Sequence, residues 1–131
     1  MEEPLYKELA YRTVGVFYQV YNELGPGYKE SVYQKALARE FSLQGLVCEE
    51  GKRLAISYKG YEVGIYIPDF IIEDKIIIEI KAVPEMPPVF EKQLYYYLKG
   101  TKYKLGYLVN FGGGELDVKR RIFDKARNAN K

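Results

Sequence analysis

Apolar residues in the first third of the chain recur at helical spacing. Leu5, Leu9, Val16, Val20 and Leu24 mark one stripe, which Tyr6, Ala10, Phe17 and Tyr21 widen. Residues 5–24 are therefore expected to form a helix buried along one side. Gly25-Pro26-Gly27 ends it, because proline and glycine together punctuate helices. Tyr33, Leu37 and Phe41 carry the same period through a second helix over residues 28–44, with Gly45 as its C-terminal cap. The pattern then changes. Residues 47–58 read as a strand, Lys59-Gly60 as a tight turn, and residues 61–72 as a second strand. Glu73-Asp74-Lys75 forms a charged turn into a third strand over residues 76–83, whose Ile76-Ile77-Ile78 run is the most β-prone stretch of the chain. Pro84, Pro87 and Pro88 interrupt, and Pro88 suits the first turn of a third helix that ends near Lys99-Gly100. Residues 103–111 form a further strand, apolar on both faces and so placed centrally in the sheet. After Gly112-Gly113-Gly114, residues 116–123 add an edge strand or a short helix. The order helix, helix, three strands, helix, strand predicts an α/β (α+β) fold with a central mixed sheet flanked by helices.

Composition narrows the chemistry. The 131 residues suit one domain (1–131), and 47% hydrophobic with 29% charged residues is the balance of a globular protein. With no histidine and a single cysteine, Cys48, the usual zinc ligand sets, histidine-base mechanisms and an intramolecular disulfide are all excluded. Carboxylates, lysines and tyrosines must carry any acid, base or metal chemistry. Fourteen Tyr against six Phe and no Trp suit half-buried contact surfaces. The net charge of +2 is too small to mark a nucleic-acid binder by itself. A basic footprint would have to be local, as in the short C-terminal tail from about 119, where Lys119, Arg120, Arg121, Lys125, Arg127 and Lys131 oppose Asp124. A solvated tail is the plainer use of that segment. With no signal-peptide pattern and no apolar run of membrane-spanning length, a cytoplasmic protein without a membrane partner is expected.

The sharpest chemical signal is Pro68-Asp69, nine residues, then Glu79-Ile80-Lys81. If Glu73-Asp74-Lys75 is a three-residue turn, Ile72 pairs with Ile76 and Asp69 lies opposite Glu79, on the same face. Lys81 joins that face because strand side chains alternate. Two carboxylates so placed repel unless a cation lies between them, and an oxygen-only site suits Mg²⁺ or Mn²⁺. Spacing alone also fits an Asp/Glu/Lys salt-bridge cluster on a surface hairpin.

Pro68-Asp69…Glu79-Ile80-Lys81 resembles the signature of the PD-(D/E)XK nuclease superfamily. Gly27-Tyr28-Lys29-Glu30-Ser31-Val32-Tyr33 matches the pattern for which the GxxExxY family is named, and 93–98 with 108–112 resemble that family's C-terminal half. The resemblance implies a restriction-endonuclease-like core and a Mg²⁺- or Mn²⁺-dependent nuclease. Asp69, Glu79 and Ile80 would form the metal set, Lys81 would be the catalytic lysine, and Glu30 would complete the site from the second helix. Gln93 would be the polar residue beside the site, sharing a helix face with Tyr97 as a substrate contact. Tyr33, one turn from Glu30, reads as structural. Tyr95-Tyr96-Tyr97 offer either stacking surfaces for bases or packing rings. The expected partner is nucleic acid, with DNA favoured over RNA, and a homo-oligomer is compatible with the tyrosine content. The alternative is a non-catalytic nucleic-acid-binding or oligomeric interaction module that retains the nuclease fold, with a plain structural subunit as a third reading.

Overall fold

The computed structural model describes residues 4–125. Helices α1 (Lys7–Leu24) and α2 (Glu30–Leu43) are followed by strands β1 (Cys48–Glu50), β2 (Leu54–Tyr58), β3 (Tyr61–Tyr66), β4 (Phe70–Ile72) and β5 (Ile76–Lys81). Helix α3 (Pro88–Gly100) then precedes β6 (Leu105–Asn110) and the edge strand β7 (Asp117–Ile122). Five strands form a mixed sheet in the order β1-β4-β5-β6-β7, while β2 and β3 form a separate two-stranded sheet. Only β5 and β6 run parallel, because α3 crosses between them and returns the chain in the same direction. The expected mixed sheet flanked by helices is present, and all six residues of β6 are buried.

Two expected strands are each divided. Residues 47–58 split into β1 and β2, and residues 61–72 into β3 and β4, so five strands stand where three were predicted. Gly51, at φ 64°, turns the chain out of the main sheet into the β2–β3 hairpin. Pro68 lies where the chain returns, and it has no N–H to give to a ladder. The hairpin turn at Lys59-Gly60 has both residues at positive φ, as a two-residue connection requires. The edge strand expected over residues 116–123 is present as β7, and it takes in the start of the segment from about 119 that also read as a solvated tail. Lys119, Arg120 and Arg121 belong to β7, whose antiparallel pairing with β6 runs from Asp117↔Asn110 to Ile122↔Leu105. Arg127 and Lys131 lie outside the described residues.

Each face of the main sheet has its own core. Ile76, Ile78 and Ile80 point with Phe70 and Ile72 toward Phe17 and Val20 of α1 and Leu37 and Phe41 of α2. Ile71, Ile77 and Leu108 point the other way, toward Leu94 and Leu98 of α3 and toward Leu54 and Tyr66 of the hairpin. The alternation in β5 therefore places Glu79 and Lys81 on the α3 side. The inner face of the hairpin packs on α3, but Tyr58 and Tyr61 flanking its tip are 61% and 79% exposed, and Val63, Ile65 and Ile67 also face solvent.

Candidate active site

The site grows from the β4–β5 hairpin. Glu73 and Asp74 both adopt φ 53°, and the Lys75 N–H donates to the Ile72 carbonyl at 2.9 Å. This turn sets the register Ile72↔Ile76, Ile71↔Ile77 and Phe70↔Ile78. Continued one step, the register puts Asp69 opposite Glu79, as the three-residue turn predicts. Regular pairing has already stopped at Phe70, and the two carboxylates take over as acceptors. The Asp69 N–H donates to Glu79 Oε1 at 3.0 Å, and the Ile80 N–H donates to Asp69 Oδ2 at 2.8 Å. These reciprocal bonds fix both side chains against the end of the hairpin.

The electrostatics are those of a carboxylate pair short of positive charge. Burial, then the Asp69 charge, pushes the Glu79 carboxyl up to about 7, although the Asp69 N–H, Tyr66 and Lys81 all favour its ionised form. Asp69 is also raised by burial, against the opposing Ile80 N–H and Lys81. Glu30, the first residue of α2, is raised by partial desolvation and by Asp69, and lowered by Lys81. Thus Glu30, Asp69, Glu79 and Lys81 lie within one electrostatic neighbourhood despite coming from two parts of the fold. The Lys81 ammonium rests 4.2 Å from the centre of the Phe90 ring of α3, a cation–π contact that tethers it beside the carboxylates.

The donor set is oxygen only: the Asp69 and Glu79 carboxylates, plus Ile80, whose sole ligating atom is its main-chain carbonyl. Among the described residues, no three acidic, histidine or cysteine side chains gather closely enough to hold a metal by themselves. A cation here would therefore be held by two carboxylates, a carbonyl and water. That fits Mg²⁺ or Mn²⁺, which bind through one or two carboxylates and retain several waters.

Gln93 and Tyr97 share the expected face of α3, and Gln93 Nε2 donates to the Tyr97 hydroxyl at 3.4 Å. The Tyr97 ring stacks on Tyr66 with centroids 3.8 Å apart and planes 6° from parallel. Of the other two rings in the tyrosine run, Tyr96 is exposed, whereas Tyr95 packs edge-on against Phe123 with Arg121 5.1 Å from its centre. Tyr95 therefore belongs to the contact between α3 and the C-terminal strand. Tyr33 is structural, as expected. It is buried and stacked on Phe111, its hydroxyl donates to the Gly25 carbonyl, and it accepts the Tyr28 N–H at 3.2 Å. The motif tyrosine thus ties down the turn that presents Glu30.

Three residues were missed from sequence. Tyr66 abuts Glu79, Phe90 carries Lys81, and Asn110 clamps Val83 just beyond β5, accepting its N–H at 3.0 Å and donating to its carbonyl at 2.9 Å. The third had a signal in the polar Asn110 closing an otherwise apolar strand. The other two are ordinary aromatics until the fold joins them to their partners. A cleft of about 950 Å³, lined by Tyr11, Val14, Tyr107 and Arg120 among others, contains none of these groups.

Residues 7–122 match the family model of the PD-(D/E)XK nuclease superfamily, and the chain belongs to that superfamily. Nucleases of this superfamily generally use divalent metals. Among solved structures, the chain is similar to an alkaline exonuclease from Laribacter hongkongensis at 18% identity and a TM-score of 0.48. That similarity covers 71% of this chain and 55% of the exonuclease, so the chain spans about half the length of that enzyme. No curated protein matches the sequence.

Proposed function

We propose that this protein is a GxxExxY-type nuclease that hydrolyses phosphodiester bonds of nucleic acid, DNA before RNA, with Mg²⁺ or Mn²⁺ and in a cytoplasmic setting. The observation that carries the reading is the locked pair of carboxylates, Asp69 and Glu79, with the Lys81 ammonium tethered beside them. When bound, the divalent cation polarises a phosphoryl oxygen and lowers the pKa of coordinated water. Asp69 and Glu79 would hold that cation, with the Ile80 carbonyl as a neutral donor. Lys81 offsets the charge that grows on the phosphoryl oxygens as the water oxygen bonds to phosphorus, its proton passing to solvent, and the P–O bond to the departing sugar breaks, the sugar oxygen taking up a proton from solvent. Glu30 orients water from the α2 side. Gln93 and Tyr97, on the α3 side, contact the substrate.

The test is cleavage of labelled single- and double-stranded DNA and RNA with Mg²⁺, Mn²⁺ or EDTA, comparing wild type with Asp69→Ala and Lys81→Ala. The expected outcome is metal-dependent cleavage that both substitutions abolish. Equal cleavage by wild type and variants would remove these residues from the reaction. A wild type that binds nucleic acid without cutting it would favour the non-catalytic module.

A further inference from the structure

Tyr66 stands out among the polar groups of the described residues. Its side chain is only 4% exposed, and its hydroxyl is the one buried side-chain polar atom among the described residues that makes no regular hydrogen bond. Buried polar atoms in folded proteins are nearly always paired, and an exception calls for an explanation such as a functional role or a bound water or ion that completes the set. The ring itself has no freedom. It is held by pairing with Leu54 across the hairpin, by stacking on Tyr97, and by the apolar cluster around Ile71, Ile77 and Leu98. Only the O–H direction remains adjustable, and the group it lies against is the Glu79 carboxylate. One oxygen of that carboxylate, Oε1, already accepts the Asp69 N–H, so the remaining lone pairs are available to a cation and to one more donor.

We propose that Tyr66 is a positioning residue, whose buried hydroxyl, only loosely engaged with the Glu79 carboxylate in the metal-free protein, closes into a full hydrogen bond to it when a divalent cation is bound and so fixes the oxygen that faces the metal. The proposal rests on Glu79 being a metal ligand. Partners of this kind set the orientation and basicity of metal-binding side chains, and their loss typically costs ten- to hundredfold in metal affinity. In this fold the partner is rigid without using the main sheet. The β2–β3 hairpin supplies the hydroxyl and α3, through Tyr97, braces its ring.

The experiment is calorimetric titration of the whole protein with Mn²⁺, comparing wild type with Tyr66→Phe, which keeps the ring and its stack and removes only the oxygen. Unchanged circular dichroism and a cooperative urea transition establish that the variant is folded. Mn²⁺ affinity reduced by tenfold or more, with cleavage restored as Mn²⁺ is raised to saturation, is the expected result. Unchanged affinity in Tyr66→Phe, with wild type binding Mn²⁺ normally, overturns the role of Tyr66 and leaves the nuclease reading standing. Absence of Mn²⁺ binding by wild type overturns both. Tyr66→Leu, which also removes the stack, separates hydroxyl from ring. Affinity lost only in Tyr66→Leu assigns the effect to packing and likewise overturns the proposal.

Discussion

Glu79→Gln should make the protein more stable at alkaline pH while it destroys metal binding. The wild-type carboxyl titrates near 4.5 when unfolded and is pushed up to about 7 in the folded state, chiefly by burial and by Asp69. Between these values the folded chain holds a proton that the unfolded chain has released, so stability falls as pH rises. The contribution is fully present below pH 4.5 and is lost as pH climbs through 7. At ~1.4 kcal/mol per pH unit, the interval is worth about 3 kcal/mol. Glutamine has nearly the same shape, keeps Oε1 as acceptor for the Asp69 N–H, and carries no charge at any pH. It therefore removes the alkaline penalty without removing the hydrogen bond. Urea unfolding in EDTA, followed by circular dichroism at pH 5, 7 and 9, gives the comparison. Wild type and variant should be close at pH 5, and the variant should be ahead by about 2–3 kcal/mol at pH 9. Parallel pH profiles, or a variant that is weaker at pH 9, would refute the reasoning, since the pair would then not be mutually repelling in a desolvated site.

The same charge balance predicts a metal response. Mg²⁺ or Mn²⁺ at about a hundred times its dissociation constant should raise wild-type stability by about 2.7 kcal/mol, and chelation should abolish the gain. Thermal melting of Asp69→Ala should show no such rise, and a retained rise would remove Asp69 from the ligand set. Tyr33→Phe leaves the stack on Phe111 but frees the Gly25 carbonyl and the Tyr28 N–H. It should cost about 1–2 kcal/mol in urea unfolding, and no loss would mean that the turn before α2 is held by other contacts. If the exposed Tyr58 and Tyr61 rings meet substrate bases, replacing both with Ala should weaken single-stranded oligonucleotide binding at least tenfold, given ~1–3 kcal/mol per stacked base. Fluorescence anisotropy tests this, and unchanged affinity takes the hairpin tip out of the substrate path.

What was legible in the sequence is what local chemistry determines. The isoleucine run and the charged three-residue turn define the β4–β5 register, and with it the opposition of Asp69 and Glu79. Gly27 to Tyr33 similarly announces a helix start with an acid near its first turn. The change of sheet at Gly51 and Pro68 was not legible in the same way, because the β-prone side chains continue across both points. It is carried by a left-handed φ and a missing N–H, which act on the backbone and leave the hydrophobic pattern intact. The basic residues of β7 fitted two readings, the edge strand that is present and a solvated tail from about 119 that is not. Charge suits an edge strand as well as a tail, and the pairing with β6 decides between them.

Tyr66 marks the deeper limit. In a chain with fourteen tyrosines, nothing local separates it from Tyr58 or Tyr61, which share its hairpin and lie exposed. Its distinction arises only when that hairpin folds onto α3 and brings its hydroxyl against a residue from β5. The division of labour follows from this. The β4–β5 hairpin supplies the charged groups of the site through short-range register, which a sequence motif can encode. The hairpin and α3 supply the burial that raises Glu79 and the aromatic rings that hold Lys81 and face the carboxylate, which no short motif can encode. A graft of the Pro68–Lys81 segment onto another sheet would therefore reproduce the two carboxylates and the lysine, but not the desolvated environment that makes them responsive to a metal.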